Sequence, residues 1–369
     1  MTHRFLVLDS FRGLCALSVV IFHLHIVGTF TEIDFFRGSS LFVEFFFVLS
    51  GFVLTYGYAF KNNLSLSQFA ILRTFRLFPL HIFMLAVFII FEFGKLAAYE
   101  IGGLSFNNAP FTGAGEPSEI LPNLFLVHAW SSLTNALTFN YPSWSISIEY
   151  YTYFIFFFSV VFFKKYKLIA WFLISITMLF FIVKDTEFPV KDVQRGLSCF
   201  FAGALTYSLY SLFKHLKLNY LLSSVLEGAM LFLVIYIVSS DVEHKSIIST
   251  LLFCITVFVY SYEGGVFSSI LKGSVFTRLG ELSYSIYMTH AAIIFVVLSF
   301  AMVMQKVTDM NFTPMVNDVR FITTGNVFVN NLLVFMVLGL VVFVSIFTNK
   351  YIEKIGQRKA KIILSKFKS

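Results

Sequence analysis

Ten apolar runs, each long enough to cross a bilayer as a helix, punctuate this chain near residues 11–30, 40–60, 77–97, 145–163, 168–183, 194–213, 218–239, 246–262, 282–304 and 327–349. Hydrocarbon offers no water to backbone N–H and C=O groups, so such a segment must satisfy them internally, and about 20 residues of α-helix do so across ~30 Å. The chain therefore reads as all-α, a polytopic membrane helix bundle of about ten transmembrane helices. Of 369 residues, 58% are hydrophobic and 13% charged, and the mean hydropathy is +0.82, far above that of a soluble domain. The 50 phenylalanines suit lipid-facing helix surfaces and say little about chemistry.

Loop charges set the orientation. With the N-terminus inside, more than two thirds of the 27 Lys and Arg residues fall on the inner side, including Lys164, Lys165, Lys167 and the seven between Lys350 and Lys368. The positive-inside rule then makes both termini cytoplasmic and explains the net charge of +7 without nucleic acid. Residues 354–369 read as a basic cytoplasmic tail facing membrane lipids, after a membrane domain over 1–353. An eleventh apolar piece, 120–130, is too short to span and contains Pro122, Asn123 and His128. It reads as a re-entrant or interfacial segment in an irregular outside loop of residues 98–143. No small-residue cleavage site follows the first helix, so that helix is expected to stay. Cys15, Cys199 and Cys254 sit in separate apolar segments without metal-ligand spacing, so they read as packing residues and no metal is expected.

Function is sought in the few polar groups placed within the spans, because buried charge is costly and usually faces the bundle interior or a water-filled path. Arg12 and His23 stand eleven residues apart, which on an α-helix is about 1,100° of rotation and ~16 Å of rise, so they share a face at different depths. By the same rise His23 lies about 18 Å above the inner boundary, while Glu44 and Glu149 lie about 6 and 8 Å below the outer one. The three fall in one layer. An imidazole near a carboxylate is a general-base arrangement. The competing explanation is that each group merely hydrogen-bonds a neighbouring helix and holds the bundle together. Arg12, Arg73 and Arg76 lie near the inner boundary, where arginines either anchor the protein by the positive-inside rule or clamp the phosphates of an anionic cosubstrate. His290 lies in the ninth span, with Ser283 and Tyr287 on roughly its face, and is either functional or a satisfied core histidine. His25 and His128 read as interfacial.

Five stretches carry a resemblance to a known family. They are Leu8-Asp9-Ser10-Phe11-Arg12-Gly13-Leu14 followed by His23; Phe45-Phe46-Phe47-Val48-Leu49-Ser50-Gly51-Phe52; Arg73-Thr74-Phe75-Arg76-Leu77-Phe78-Pro79; Pro142-Ser143-Trp144-Ser145-Ile146-Ser147-Ile148-Glu149; and Ser283-Tyr284-Ser285-Ile286-Tyr287-Met288-Thr289-His290. In that order they resemble the integral-membrane acyltransferase 3 family. Glu44 stands where the family often has aspartate. The resemblance implies an O-acyltransferase of the inner (plasma) membrane. It would take an acyl group, commonly acetyl, from cytoplasmic acetyl-CoA or another acyl-CoA to a hydroxyl of a cell-envelope glycan such as O-antigen, capsule or exopolysaccharide, or of a lipid-linked glycan. It makes His23 catalytic with Arg12 and Glu149 in support, and assigns Arg73, Arg76 and Arg12 to the coenzyme A phosphates. Glu44, Trp144, Ser145, Tyr284, Ser285, Tyr287 and His290 are then candidates for the acceptor side. A multi-span transporter of a lipid-linked or small acidic substrate is the rival reading, and a scaffold protein leaves the aligned Arg12 and His23 unexplained.

Overall fold

The leading apolar segment forms helix α1 (Leu6–His23), and it stops seven residues short of the expected boundary at residue 30. In the computed structural model, which describes residues 4–61, 65–104, 106–216, 218–317 and 319–366, the chain just past His23 shows the cause. Gly28 takes a positive φ of 69°, Ile26 forms a parallel bridge with Ile322, and Val27 N–H donates to the Ile322 carbonyl at 3.0 Å. Two of the inner-side charges of the loop count, Lys217 and Lys368, lie outside the described residues.

The helices after α1 are α2 (Asp34–Arg37), α3 (Phe42–Leu54), α4 (Leu66–Glu100), α5 (Ile120–Leu124), α6 (Ser143–Phe163), α7 (Lys167–Val183), α8 (Lys191–Phe213), α9 (Tyr220–Ser239), α10 (Lys245–Tyr260), α11 (Val266–Leu271), α12 (Ser274–Thr308), α13 (Val327–Thr348) and α14 (Lys354–Lys366). Two short strands, β1 (Met315–Val316) and β2 (Val319–Arg320), pair antiparallel. Each of the ten predicted spans is helical. Among the described residues eight helical stretches are long and apolar enough to cross a bilayer, because 143–183 counts as one stretch and α10 has 16 residues. That long stretch is a hairpin of two helices. Lys164 adopts a φ of 43°, and Trp171 of α7 folds back on α6, stacking on Phe156 at 5.5 Å and donating from Nε1 to Ser159 Oγ at 2.7 Å. Lys164, Lys165 and Lys167 at the bend keep it out of hydrocarbon.

The chain divides into two compact units. The first contains residues 1–16, 38–73 and 148–283. Its centre is the contact between α3 and α8, where glycine lets backbones approach: a Cβ on Gly51 would strike the Phe200 carbonyl and one on Gly203 the Val48 carbonyl. Small residues do this work in membranes because lipid supplies no hydrophobic drive for helices to associate. Gly13 and Gly280 do the same where the first half of α1 meets the start of α12.

The second unit contains residues 17–37, 74–147 and 284–369. Its outside loop is tied down along its length. Glu92 of α4 pairs with Lys95 and accepts from Phe111 N–H at 2.8 Å, His81 Nε2 meets the Asn123 carbonyl at 2.8 Å, and Trp130 Nε1 donates to the Ser147 carbonyl at 3.0 Å. The expected re-entrant piece is the five-residue α5 followed by a turn through Leu126, whose φ is 57°, with Asn123, Leu126, His128 and Ala129 buried. The basic tail is helix α14. Gly356 lets it lie against Phe75 and Pro79 of α4, while Glu353 accepts from Asn349, Gln357 and Ser285.

Candidate active site

Two imidazoles meet within the second unit. His23, the last residue of α1, places Nδ1 3.0 Å from the Val19 carbonyl and 3.2 Å from Nε2 of His290 on α12. His290 Nδ1 lies 2.7 Å from the Tyr287 carbonyl. Because a carbonyl only accepts, His290 carries its proton on Nδ1, and its neutral Nε2 is an acceptor. His23 Nδ1 then donates, between Val19 and His290, and the lone pair of His23 falls on Nε2. That atom has no hydrogen-bond partner among the described residues. A histidine with its proton held on one side and its lone pair open on the other is set up as a base.

The surroundings are aromatic and hydroxylic. The Tyr141 ring centroid is 4.8 Å from that of His23 and 6.1 Å from that of His290, and the Tyr287 ring is 5.8 Å from His290. Ser145 Oγ and Tyr287 OH are 2.9 Å apart, both buried, and Asn140 Nδ2 donates to the Met288 carbonyl at 3.1 Å. Burial pushes the Tyr141 phenol pKa up, with the neighbouring Tyr287 adding to it, so Tyr141 stays a proton donor. His290 is fully buried while His23 is half-buried. Among the described residues no group of three His, Cys, Asp or Glu is placed to hold a metal ion.

Of the sequence-predicted residues, His23, His290, Tyr287 and Ser145 therefore come together. Tyr284 and Ser285 turn to other partners: Tyr284 OH donates to the Leu77 carbonyl at 2.6 Å and Ser285 Oγ to Glu353 at 3.2 Å. Trp144 is half-buried at the start of α6, next to Ser145. Arg76 belongs to this unit and is half-buried on α4, three residues after Arg73.

The remaining candidates belong to the first unit. Glu149 Oε1 accepts from Ser50 Oγ at 2.5 Å and from the Tyr153 hydroxyl. Arg73 donates from Nη2 to Tyr58 OH at 3.1 Å and lies over the Tyr58 and Tyr153 rings, with its buried Nε lacking a hydrogen-bond partner. Arg12 pairs with Asp9 at 3.3 Å on α1. Glu44, fully buried, pairs with Arg195 at 2.9 Å and accepts from Ser246 at 2.8 Å.

Sequence reasoning passed over Tyr141, Arg37 and Arg195. Tyr141 directly precedes the Pro142–Glu149 stretch and was within reach of it, whereas both arginines fall among the charges left on the outer side by the loop count, and nothing near them in sequence signals their half-buried pairing. His128 is buried rather than interfacial. Its Nε2 meets Ser143 Oγ at 3.2 Å and its ring stacks on His81 at 6.4 Å. Burial, with the charge of His81 adding to it, lowers its pKa to about 3.

A protein-family model described as an acyltransferase domain matches residues 5–350. "Protein 2 in picA locus" of Rhizobium radiobacter is 32% identical over 166 residues, 38% of this chain and 82% of that protein. No solved structure matches. A family match running from before Arg12 to beyond His290, on a helical chain with this many apolar spans, leads to one conclusion: the chain belongs to the acyltransferase 3 family, and is a multi-pass membrane acyltransferase.

Proposed function

We propose that the protein moves an acyl group, in the first instance acetyl, from cytoplasmic acyl-CoA to a hydroxyl of a cell-envelope glycan, with His23 as the general base. The observation that carries this reading is the contact between His23 and His290, which leaves the lone pair of His23 on Nε2. In the step, Nε2 takes the proton of the acceptor hydroxyl as its oxygen attacks the thioester carbonyl. The C–S bond then breaks, and the departing thiolate takes the proton back from the imidazolium. His290 Nε2 stabilises that imidazolium by accepting from Nδ1. Tyr141, Ser145 and Tyr287 supply O–H groups for the acceptor sugar and for the oxyanion that develops on the carbonyl.

Arg73, Arg76 and Arg12 are assigned to the phosphates of the donor. The support for Arg73 is its unpartnered Nε, a spare donor on a half-buried guanidinium. By the positive-inside rule these arginines face the cytoplasm, where acyl-CoA is made, and both termini share that side.

The test is purified protein in proteoliposomes given radiolabelled acetyl-CoA and glycan released from the host envelope. The wild type is expected to label the glycan and release free coenzyme A, and His23→Ala to do neither while remaining folded. Equal labelling by His23→Ala overturns the assignment, a stable acyl-histidine at His23 replaces the base with a nucleophile, and solute flux without coenzyme A release turns the reading towards a transporter.

A further inference from the structure

A helix ends with its last carbonyls unpaired, and the end of α1 carries the residue on which the proposed chemistry depends. Two carbonyls at that end, Ile21 in the last turn, which also accepts from Leu24 N–H, and Leu24 just past it, accept from one side chain of the next short helix. Arg37, the last residue of α2, donates from Nη2 to the Ile21 carbonyl at 2.8 Å and to the Leu24 carbonyl at 3.1 Å. Its Nε donates to the Thr31 carbonyl at 2.6 Å and its Nη1 meets His25 Nδ1 at 3.1 Å. The guanidinium carbon also lies 5.8 Å from the Phe22 ring centroid. The contacts thus bracket His23 in the chain, at positions 21, 22, 24 and 25. A guanidinium only donates, so His25 presents Nδ1 as an acceptor and is neutral in this arrangement. Four directions from one planar group fix both the position and the rotation of a helix end, which a lysine, with one point of charge, does not. The positive charge also complements the negative end of the helix dipole.

We infer that Arg37 is a positioning residue for His23: by clamping the end of α1 it holds the His23 imidazole against His290, with Nε2 directed to the reacting hydroxyl. This rests on the general-base reading above. Among the described residues Arg37 forms no hydrogen bond with His23 or His290, and its hold on the imidazole runs through the backbone of Ile21 and Leu24.

The test compares wild type with Arg37→Gln and Arg37→Lys, each in proteoliposomes and matched for folded protein. Misplacing a catalytic group by about 1 Å costs roughly a hundredfold in rate, so kcat is expected to fall by about tenfold or more in both variants, with the KM for acetyl-CoA unchanged. Two readouts do not need activity. Hydrogen exchange of the amides of residues 24–28 is expected to speed up, and carbethoxylation of His23 by diethyl pyrocarbonate, read by peptide mass spectrometry, to change in rate. Wild-type kcat, exchange and carbethoxylation in Arg37→Gln overturn the inference, as does a rise in KM alone or a full rescue by Arg37→Lys. If Arg37→Gln does not fold, His25→Leu removes one of the four contacts and must give the same changes in smaller measure; wild-type behaviour there overturns the inference. If wild-type protein transfers no acyl group, the exchange and carbethoxylation readouts still decide the clamp, so the failure of the base assignment and that of the positioning role are separable.

Discussion

In the proposed mechanism His290 does for His23 what a carboxylate does in many histidine pairs, and does it without placing an anion in the span, where charge is costly. Its Nδ1 proton is spoken for by the Tyr287 carbonyl, so its other nitrogen has one role, that of acceptor. His290→Phe is expected to lower kcat on the order of a hundredfold with the KM for acyl-CoA unchanged, within the range general-base catalysis contributes. His290→Gln, which keeps one donor and one acceptor, is expected to retain more activity than His290→Phe; steady-state kinetics on both variants check this, and equal losses contradict it. At this scale His23 stood out in the sequence as a candidate, because a histidine in an apolar span eleven residues after an arginine is costly to bury. The pairing with His290 was not, since 267 residues separate the two and only the fold brings them to 3.2 Å. Glu44 shows the same limit: its partner Arg195 is 151 residues away and read as a loop charge.

At the scale of the element, helix packing and the outside loop make separate predictions. Gly203 of α8 faces the Val48 carbonyl with no room for a side chain. Gly203→Val is expected to cost several kcal/mol by forcing α3 and α8 apart, beyond the ~1–3 kcal/mol of ordinary overpacking, because the obstruction is backbone. Loss of monodisperse protein on size-exclusion chromatography checks this; a variant as well behaved as wild type contradicts it. The loop prediction concerns pH. His128 titrates near 3 in the folded protein, against an ordinary value near 6.5. Between those values the unfolded chain binds more protons, so the contribution of His128 is complete above about pH 6.5 and is lost as pH falls towards 3, by at most ~1.4 kcal/mol per pH unit. The groups facing it are the His81 ring and the Ser143 hydroxyl. His128→Asn is expected to show a smaller drop in Tm than wild type between pH 7.5 and pH 5; parallel drops contradict the assignment. None of this was legible beforehand, since Ile120–Trp130 carries no period, and its burial follows from contacts such as Trp130 with Ser147.

For the whole molecule, the apolar runs announced the helices that are long and apolar enough to span a bilayer among the described residues, and the family motifs lie inside the stretch that the acyltransferase model matches. Boundaries were read less well: α1 ends at His23 rather than at residue 30 because a guanidinium and a bridge to Ile322 end it, and neither partner is local in sequence. The central claim is that one imidazole in the bundle moves an acyl group onto the envelope. Its most direct test is mass spectrometry of surface glycans from cells lacking the gene and complemented with wild type or with His23→Gln. The account predicts an acyl increment restored by wild type and absent with His23→Gln at equal protein level in the membrane. Restoration by His23→Gln, or glycans unchanged in all three strains, would contradict it.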